Sequence, residues 1–267
     1  MHMLDDRRWP YSPSPNMSAT SKSHSKAWTA VAEEAQAHRD ATIAALSPLA
    51  PMVPSILPKN MLHIPDELLN HPTLSITNLS PEHLLQALSN GRLSAVEVTN
   101  AYLQRAAVAQ GLSNCLTELL PSLALSRARE LDAYFREHKR PIGPLHGLPI
   151  SVKEHIGLQG LRCTTGYVSH WGNVAKEDAH IIQVLRDAGA VFHCRTTIPQ
   201  TMMHLETDSN LYGVTLNPYN SNVTPGGRSG GEGALIALQG SCLGIGSDVG
   251  GSIRCELAHQ ATHLHQH

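Results

Sequence analysis

Apolar and polar residues change rhythm twice along this chain. Up to residue 26 there is no rhythm: Pro10, Pro13 and Pro15 sit among Ser, Thr and Lys, a composition that cannot offset the entropy of ordering, so 1–26 reads as a loose, disordered tail. From Lys26 to about Leu46, the residues Trp28, Val31, Ala32, Ala35, Ile43 and Leu46 recur at amphipathic-helix spacing, and the Pro-rich stretch from Pro48 to Pro58 ends that helix. Residues 27–78 are therefore an N-terminal helix and a Pro-rich connection. Ser80 followed by Pro81 is an N-cap with proline at the first helical position, leading through Leu84, Leu85 and Leu88 to a stop at Gly91. Ser94 and Glu97 then form a capping box, with Leu93 and Val98 placed as a hydrophobic staple, and open a helix to about Ala109. A further helix, rich in Ala, Leu, Arg and Glu, is expected from Leu123 to about Glu137.

Beyond residue 140 short apolar runs alternate with helical patterns. Leu148 to Val152 and Ala190 to Cys194 predict strands, and Ile181, Ile182, Val184, Leu185 and Ala188 predict a helix between them that stops at Gly189. The segment 153–189 is long enough for a right-handed crossover joining parallel strands. A helix near Glu232 to Leu238 and a third apolar run, Leu243 to Ser247, extend the pattern. The expectation is an α/β fold, a sheet with covering helices behind a helical N-terminal layer.

Composition narrows the function. With 267 residues and 41% hydrophobic content the chain can bury a core, which excludes fibrous and wholly disordered classes. Twenty Lys+Arg against 22 Asp+Glu leave a formal net charge of −2, so no global field attracts nucleic acid or an anionic membrane. No apolar run approaches the ~18 to 20 residues of a membrane span, and MHMLDDRRWP holds no signal-peptide core; a cytoplasmic chain is expected. Cys115, Cys163, Cys194, Cys242 and Cys255 are scattered and never spaced as CxxC, which predicts reduced, mostly buried thiols without a zinc knuckle.

Half of the chain's 20 glycines fall between Gly226 and Gly251. Such density lets backbone N–H groups converge on an anion, as phosphate loops and oxyanion holes both require. No Walker Gly-Lys-Ser/Thr run and no GxGxxG after a strand is present, so no nucleotide cofactor is expected and acyl chemistry remains. Gly227, Ser229 and Gly231 satisfy GxSxG, but Asn222, Val223, Thr224 and Pro225 before them make no elbow strand. Ser252 is better placed: it follows the strand-like LGIGSD and the turn VGG, so that the amides of Val249, Gly250, Gly251 and Ser252 could form an oxyanion hole beside its hydroxyl. Lys153, ending the 148–152 strand, is the candidate base, because catalytic groups in parallel sheets gather at the carboxyl ends of strands. Lysine serves as a base only where its surroundings favour the neutral amine. Asp248 either orients this loop or solvates it.

The blocks GPLHGLPISVKE, TTIPQTMM and PGGRSGGEGALIALQGSCLGIGSDVGGSIR resemble the amidase signature family, most closely its fungal acetamidase-type members, over about Leu79 to Arg254. The resemblance implies a mixed sheet and hydrolysis of a small-molecule linear carboxamide by a serine, a bridging serine with a cis peptide bond, and a lysine. On that scheme Lys153 draws a proton through the bridging serine, Ser252 attacks the carbonyl and the loop amides hold the oxyanion. Met202 matches a position lining the acyl side.

Two departures stand out. The family's GGSSGG reads GGRSGG, which puts Arg228 in the bridging position; a guanidinium accepts no hydrogen bond and relays no proton, so the link is cut. Arg228 would need a counter-ion, with Glu232 and Asp248 nearest in sequence. After Ser252-Ile253-Arg254 the chain reads CELAHQATHLHQH, where the family continues into a further half; 79–254 then reads as the N-terminal part of an amidase domain and 255–267 as a divergent His-rich tail. Uncovered sheet edges would follow, and with them a homodimer or aggregation. His259, His263, His265 and His267 lack a completing acidic or cysteine ligand, so no metal site is expected. The alternatives are a non-catalytic remnant or interaction module, and a Ser-His hydrolase pairing Ser229 with His146 or His155.

Overall fold

The computed structural model describes residues 27–255. The 1–26 tail and the four C-terminal histidines lie outside the described residues. The N-terminal layer is α1 (Trp28–Ala44), α2 (Ile64–Leu68), α3 (His71–Thr77), α4 (Pro81–Ser89) and α5 (Ala95–Ser113). Ser80 caps α4 by accepting from the His83 amide at 3.4 Å. At α5 the capping box forms as the sequence indicates: Ser94 Oγ accepts from the Glu97 amide at 3.1 Å and the Glu97 carboxylate accepts from the Ser94 amide at 2.8 Å. α5 runs beyond the expected Ala109 to Ser113, where Asn114 takes the left-handed conformation (φ 52°, ψ 48°) that ends it. α2 and α3 fall within the stretch read as connection; both carry a proline in their first turn.

The remaining elements are β1 (Leu116–Leu119), α6 (Pro121–His138), β2 (Pro149–Lys153), α7 (His180–Asp187), β3 (Val191–Thr196), the small hairpin β4 (Asp208–Ser209) and β5 (Gly213–Val214), α8 (Gly230–Ala237) and β6 (Leu243–Ile245). β1, β3, β2 and β6 lie side by side in that order; β2 is parallel to both β3 and β6, whereas β1 is antiparallel to β3. The sheet is therefore mixed. β1 escapes a periodicity reading because Glu118 interrupts it, and that carboxylate is buried where Arg195 of β3 and His38 of α1 meet it, each at 3.2 Å.

α5 is buried on nearly every side because it lies between two apolar clusters. One joins its Leu103, Ala106 and Leu112 to Leu116, Leu119, Cys194, Ala234 and Leu235. The other joins its Val98 and Tyr102 to Leu84, Leu131, Ile150, Val152, Ile182 and Phe192. β2 divides the chemistry of the sheet: Ile150 and Val152 enter the second cluster, while Ser151 and Lys153 project to the opposite face, under α8. At the β6 edge Leu243 is 40% exposed.

Candidate active site

Because β2 and β6 are parallel with Val152 opposite Ile245, the chain leaving β6 passes beside Lys153 at the end of β2. Lys153 is fully buried. Its Nζ donates to Ser247 Oγ at 2.9 Å and reaches the Ser247 carbonyl at 3.4 Å. Ser229, the N-cap of α8, is also buried, and its hydroxyl donates to that same carbonyl at 3.2 Å. Ser247 is thus the meeting point of the lysine and the GxSxG serine. Sequence reasoning did not single it out, although it lies at the carboxyl end of the strand beside β2, the rule that selected Lys153.

The loop after Ser247 is held by Asp248. Its carboxylate accepts from the amides of Gly251 (2.7 Å), Ile253 (3.2 Å) and Arg254 (3.1 Å), and from Arg254 Nε and Nη2 at 2.9 Å each. The Arg254 guanidinium and these amides hold the Asp248 carboxyl well below the usual carboxylate range. Asp248 therefore orients the loop. Gly251, at φ 108°, lets the backbone turn back so that its N–H donates to that carboxylate. The amides of Val249, Gly250 and Ser252 have no acceptor among the described residues. Ser252 is 3% exposed at the start of the helical turn 252–255, and its hydroxyl has no hydrogen-bond partner among the described residues.

Arg228 lies across this loop: a Cβ at Gly250 would sit 3.0 Å from its Nη1 and 3.6 Å from its Nη2. Neither expected counter-ion reaches it. Asp248 is engaged by Arg254, and Glu232 is buried under β2, accepting from Ser151 Oγ at 2.5 Å and Thr196 Oγ1 at 2.7 Å. Gly244 of β6 makes room for that carboxylate, since any Cβ there would overlap Glu232 Oε2. Burial pushes the Glu232 carboxyl up to about 7, against the hydrogen bonds of Ser151 and Thr196 and the charge of Lys153. Arg228 Nε is buried without an acceptor. The peptide bond before Arg228 is trans; the cis bond among the described residues is Ser47–Pro48.

Met202 closes a helical turn, Gln200–Met202, with φ 52°, and is half-buried. The loop that follows is tied to the Arg228 segment, for the Gly227 amide donates to the Leu205 carbonyl at 2.6 Å, and Thr207 Oγ1 donates to the Gly227 carbonyl and accepts from the Gly230 amide, each at 3.0 Å. His146 lies before β2, at the other end of the strand from Lys153, where its Nδ1 accepts from the Ile142 amide and its ring packs on Phe135. His155 is held neutral, pushed down to about 4 by burial and by the cations of Lys153 and Arg195. Among the described residues no group of His, Cys, Asp and Glu could hold a metal ion, no helix is long and apolar enough to cross a membrane, and no disulfide joins the five cysteines. Cys115 and Cys194 are buried, while Cys163, Cys242 and Cys255 are only partly so.

The family model described as Amidase matches residues 97–256. An acetamidase of Emericella nidulans is 47% identical over 191 residues, covering 72% of this chain and 35% of that protein. Amidase 2 of Gibberella moniliformis is 39% identical over 235 residues, 88% of this chain and 42% of its own length. Among solved structures, a fatty acid amide hydrolase superposes with a TM-score of 0.83 at 36% identity, covering 88% of this chain and 42% of that one. A peptide amidase of Stenotrophomonas maltophilia gives 0.62 at 31% identity, over 67% and 38%. The chain thus spans less than half the length of these relatives.

Proposed function

The chain belongs to the amidase family, and from that premise we propose that its pocket is built to hydrolyse a linear carboxamide to carboxylate and amine, with the proton relay interrupted at Arg228. Ser252 is the nucleophile in this reading. Lys153, once it has given up its own proton, would remove the Ser252 proton through an intervening hydroxyl. Ser252 Oγ then bonds to the carbonyl carbon, the amides of Val249, Gly250 and Ser252 receive the oxyanion, and collapse expels the amine with the relayed proton. Water, deprotonated by the same relay, releases the acyl group as carboxylate. Met202 lines the acyl side. The acetamidase and amide hydrolase relatives support the substrate class.

The observation that supports the interruption is the place of Arg228: its guanidinium lies beside Gly250, on the loop of Ser252, and the resemblance puts a bridging serine at this position. An arginine cannot accept the proton that the relay must hand on. The same observation favours a second reading, a binding module that has kept the pocket without the turnover. Acetamide and benzamide hydrolysis by the chain and by its Arg228→Ser form separates them. General acid–base relays contribute about 100-fold or more, so the variant should exceed the unaltered chain by at least that factor. Robust turnover by the unaltered chain would overturn the interruption, and no turnover by either protein would leave the binding module. Fluorophosphonate labelling with peptide mapping should tag Ser252 in the variant; a tag on Ser229 would favour the Ser-His scheme.

A further inference from the structure

We propose that Arg228 and the adjoining glycine loop form a binding site for a small monocarboxylate. The guanidinium lies beside Gly250, on a loop whose Val249 and Gly250 are exposed to solvent and whose amides at Val249, Gly250 and Ser252 meet no acceptor among the described residues. None of the Arg228 nitrogens hydrogen-bonds a described residue, and its Nε is shut away from water. The two carboxylates that could neutralise it are committed elsewhere: Asp248 by five donors on its own loop, and Glu232 by Ser151 and Thr196. A partly buried cation without a protein acceptor, beside loop amides open to solvent, is an arrangement that an anion completes.

The donors also choose the anion. A guanidinium presents two parallel N–H groups in one plane, which matches the two oxygens of a carboxylate, and neutral amides add direction without charge. One fixed cation balances one negative charge. The rest of the ligand would extend beside Ser252, along the loop that carries Met202 and is tied to Gly227. A neutral carboxamide of the same shape offers one oxygen and an NH2 that turns a donor toward the cation. A loop of amide-hydrolysing ancestry would thereby prefer the acid to the amide.

The site shares Arg228 and the Ser252 loop with the proposed hydrolysis and needs none of its chemistry, so binding stands or falls whether or not Arg228→Ser restores turnover. Calorimetric titration of the full chain with benzoate and with benzamide, near neutral pH and low salt, tests it. Benzoate should bind about tenfold or more tightly than benzamide, a charge-assisted preference that Arg228→Gln abolishes. Should that variant fail to fold, phenylglyoxal modification of Arg228 in the unaltered chain, mapped by mass spectrometry, should be slowed by benzoate and not by benzamide. Equal binding of the two, binding of neither, or undiminished benzoate affinity in Arg228→Gln overturns the proposal. Tighter binding of inorganic phosphate than of benzoate overturns the carboxylate in favour of a tetrahedral oxyanion.

Discussion

Arg105 and Arg228 are the same residue in opposite circumstances. Arg105, 2% exposed on α5, donates from Nε to the Leu238 carbonyl at 2.8 Å, from Nη1 to Thr77 Oγ1 and Asn78 Oδ1 at 2.9 and 2.6 Å, and from Nη2 to Asp66 at 3.1 Å. Arg195 is similarly supplied by Glu118 and by the carbonyls of Arg162, Glu154 and Ile156, with Nε alone left over. Arg228 has none of this among the described residues. Supplied with acceptors, a buried guanidinium ties elements together: Arg105 joins α5 to α2, α3 and the end of α8, and Arg195 joins β3 to β1 and to the chain after β2. Unmatched and set against a glycine loop, the same group is a receptor.

The contrast can be broken most forcefully at Arg195. Replacing it by Met would strand the buried Glu118 carboxylate beside His38, and the loss in urea unfolding should reach about 3 to 5 kcal/mol. A loss below about 1 kcal/mol would mean that the matched arginine is not structural.

Glu232 stands between the two cases, buried and hydrogen-bonded yet short of charge compensation. Its carboxyl titrates near 7 in the folded chain and near 4.5 when unfolded. Above about pH 4.5 the unfolded chain therefore releases a proton that the native state keeps, so stability falls as pH rises towards about 7 and this contribution then levels off. The fall should be on the order of 3 kcal/mol, and Glu232→Gln should flatten it when unfolding is followed across that interval. A slope unchanged in the variant would place the titration elsewhere.

The smallest effect is expected at Arg228 itself. With no internal acceptor to lose, Arg228→Ser should alter the unfolding free energy by less than about 1 kcal/mol in either direction. Several kcal/mol of destabilisation would show that the cation has a structural partner, and the comparison with Arg105 would fail.

Much of the frame was legible in the order of residues, because caps and short apolar runs act locally. The Ser80-Pro81 start, the Ser94–Glu97 box, and the strands β2 and β6 fall close to where the pattern put them. β3 runs two residues beyond its apolar stretch, through Arg195 and Thr196, because those polar side chains find Glu118 and Glu232 inside the fold. The same cause hid β1. In the candidate site, Lys153 is picked out by its place at a strand end, Ser252 by its glycine turn and Arg228 through the family resemblance, whereas Ser247 and the seat of Glu232 are not legible.

What the sequence alone determined is therefore the set of elements, the glycine-rich loop and the presence of an arginine where a hydroxyl was expected, since each depends on neighbours a few residues away. What only the tertiary structure decided is who partners whom. Ser247 receives Lys153 and Ser229, Asp248 turns to Arg254, and Glu232 goes under β2, because hydrogen-bond partners are allotted by the parallel register of β2 and β6 and by the approach of α8. Arg228 is left facing the loop as a consequence of those distant pairings, which no local pattern encodes.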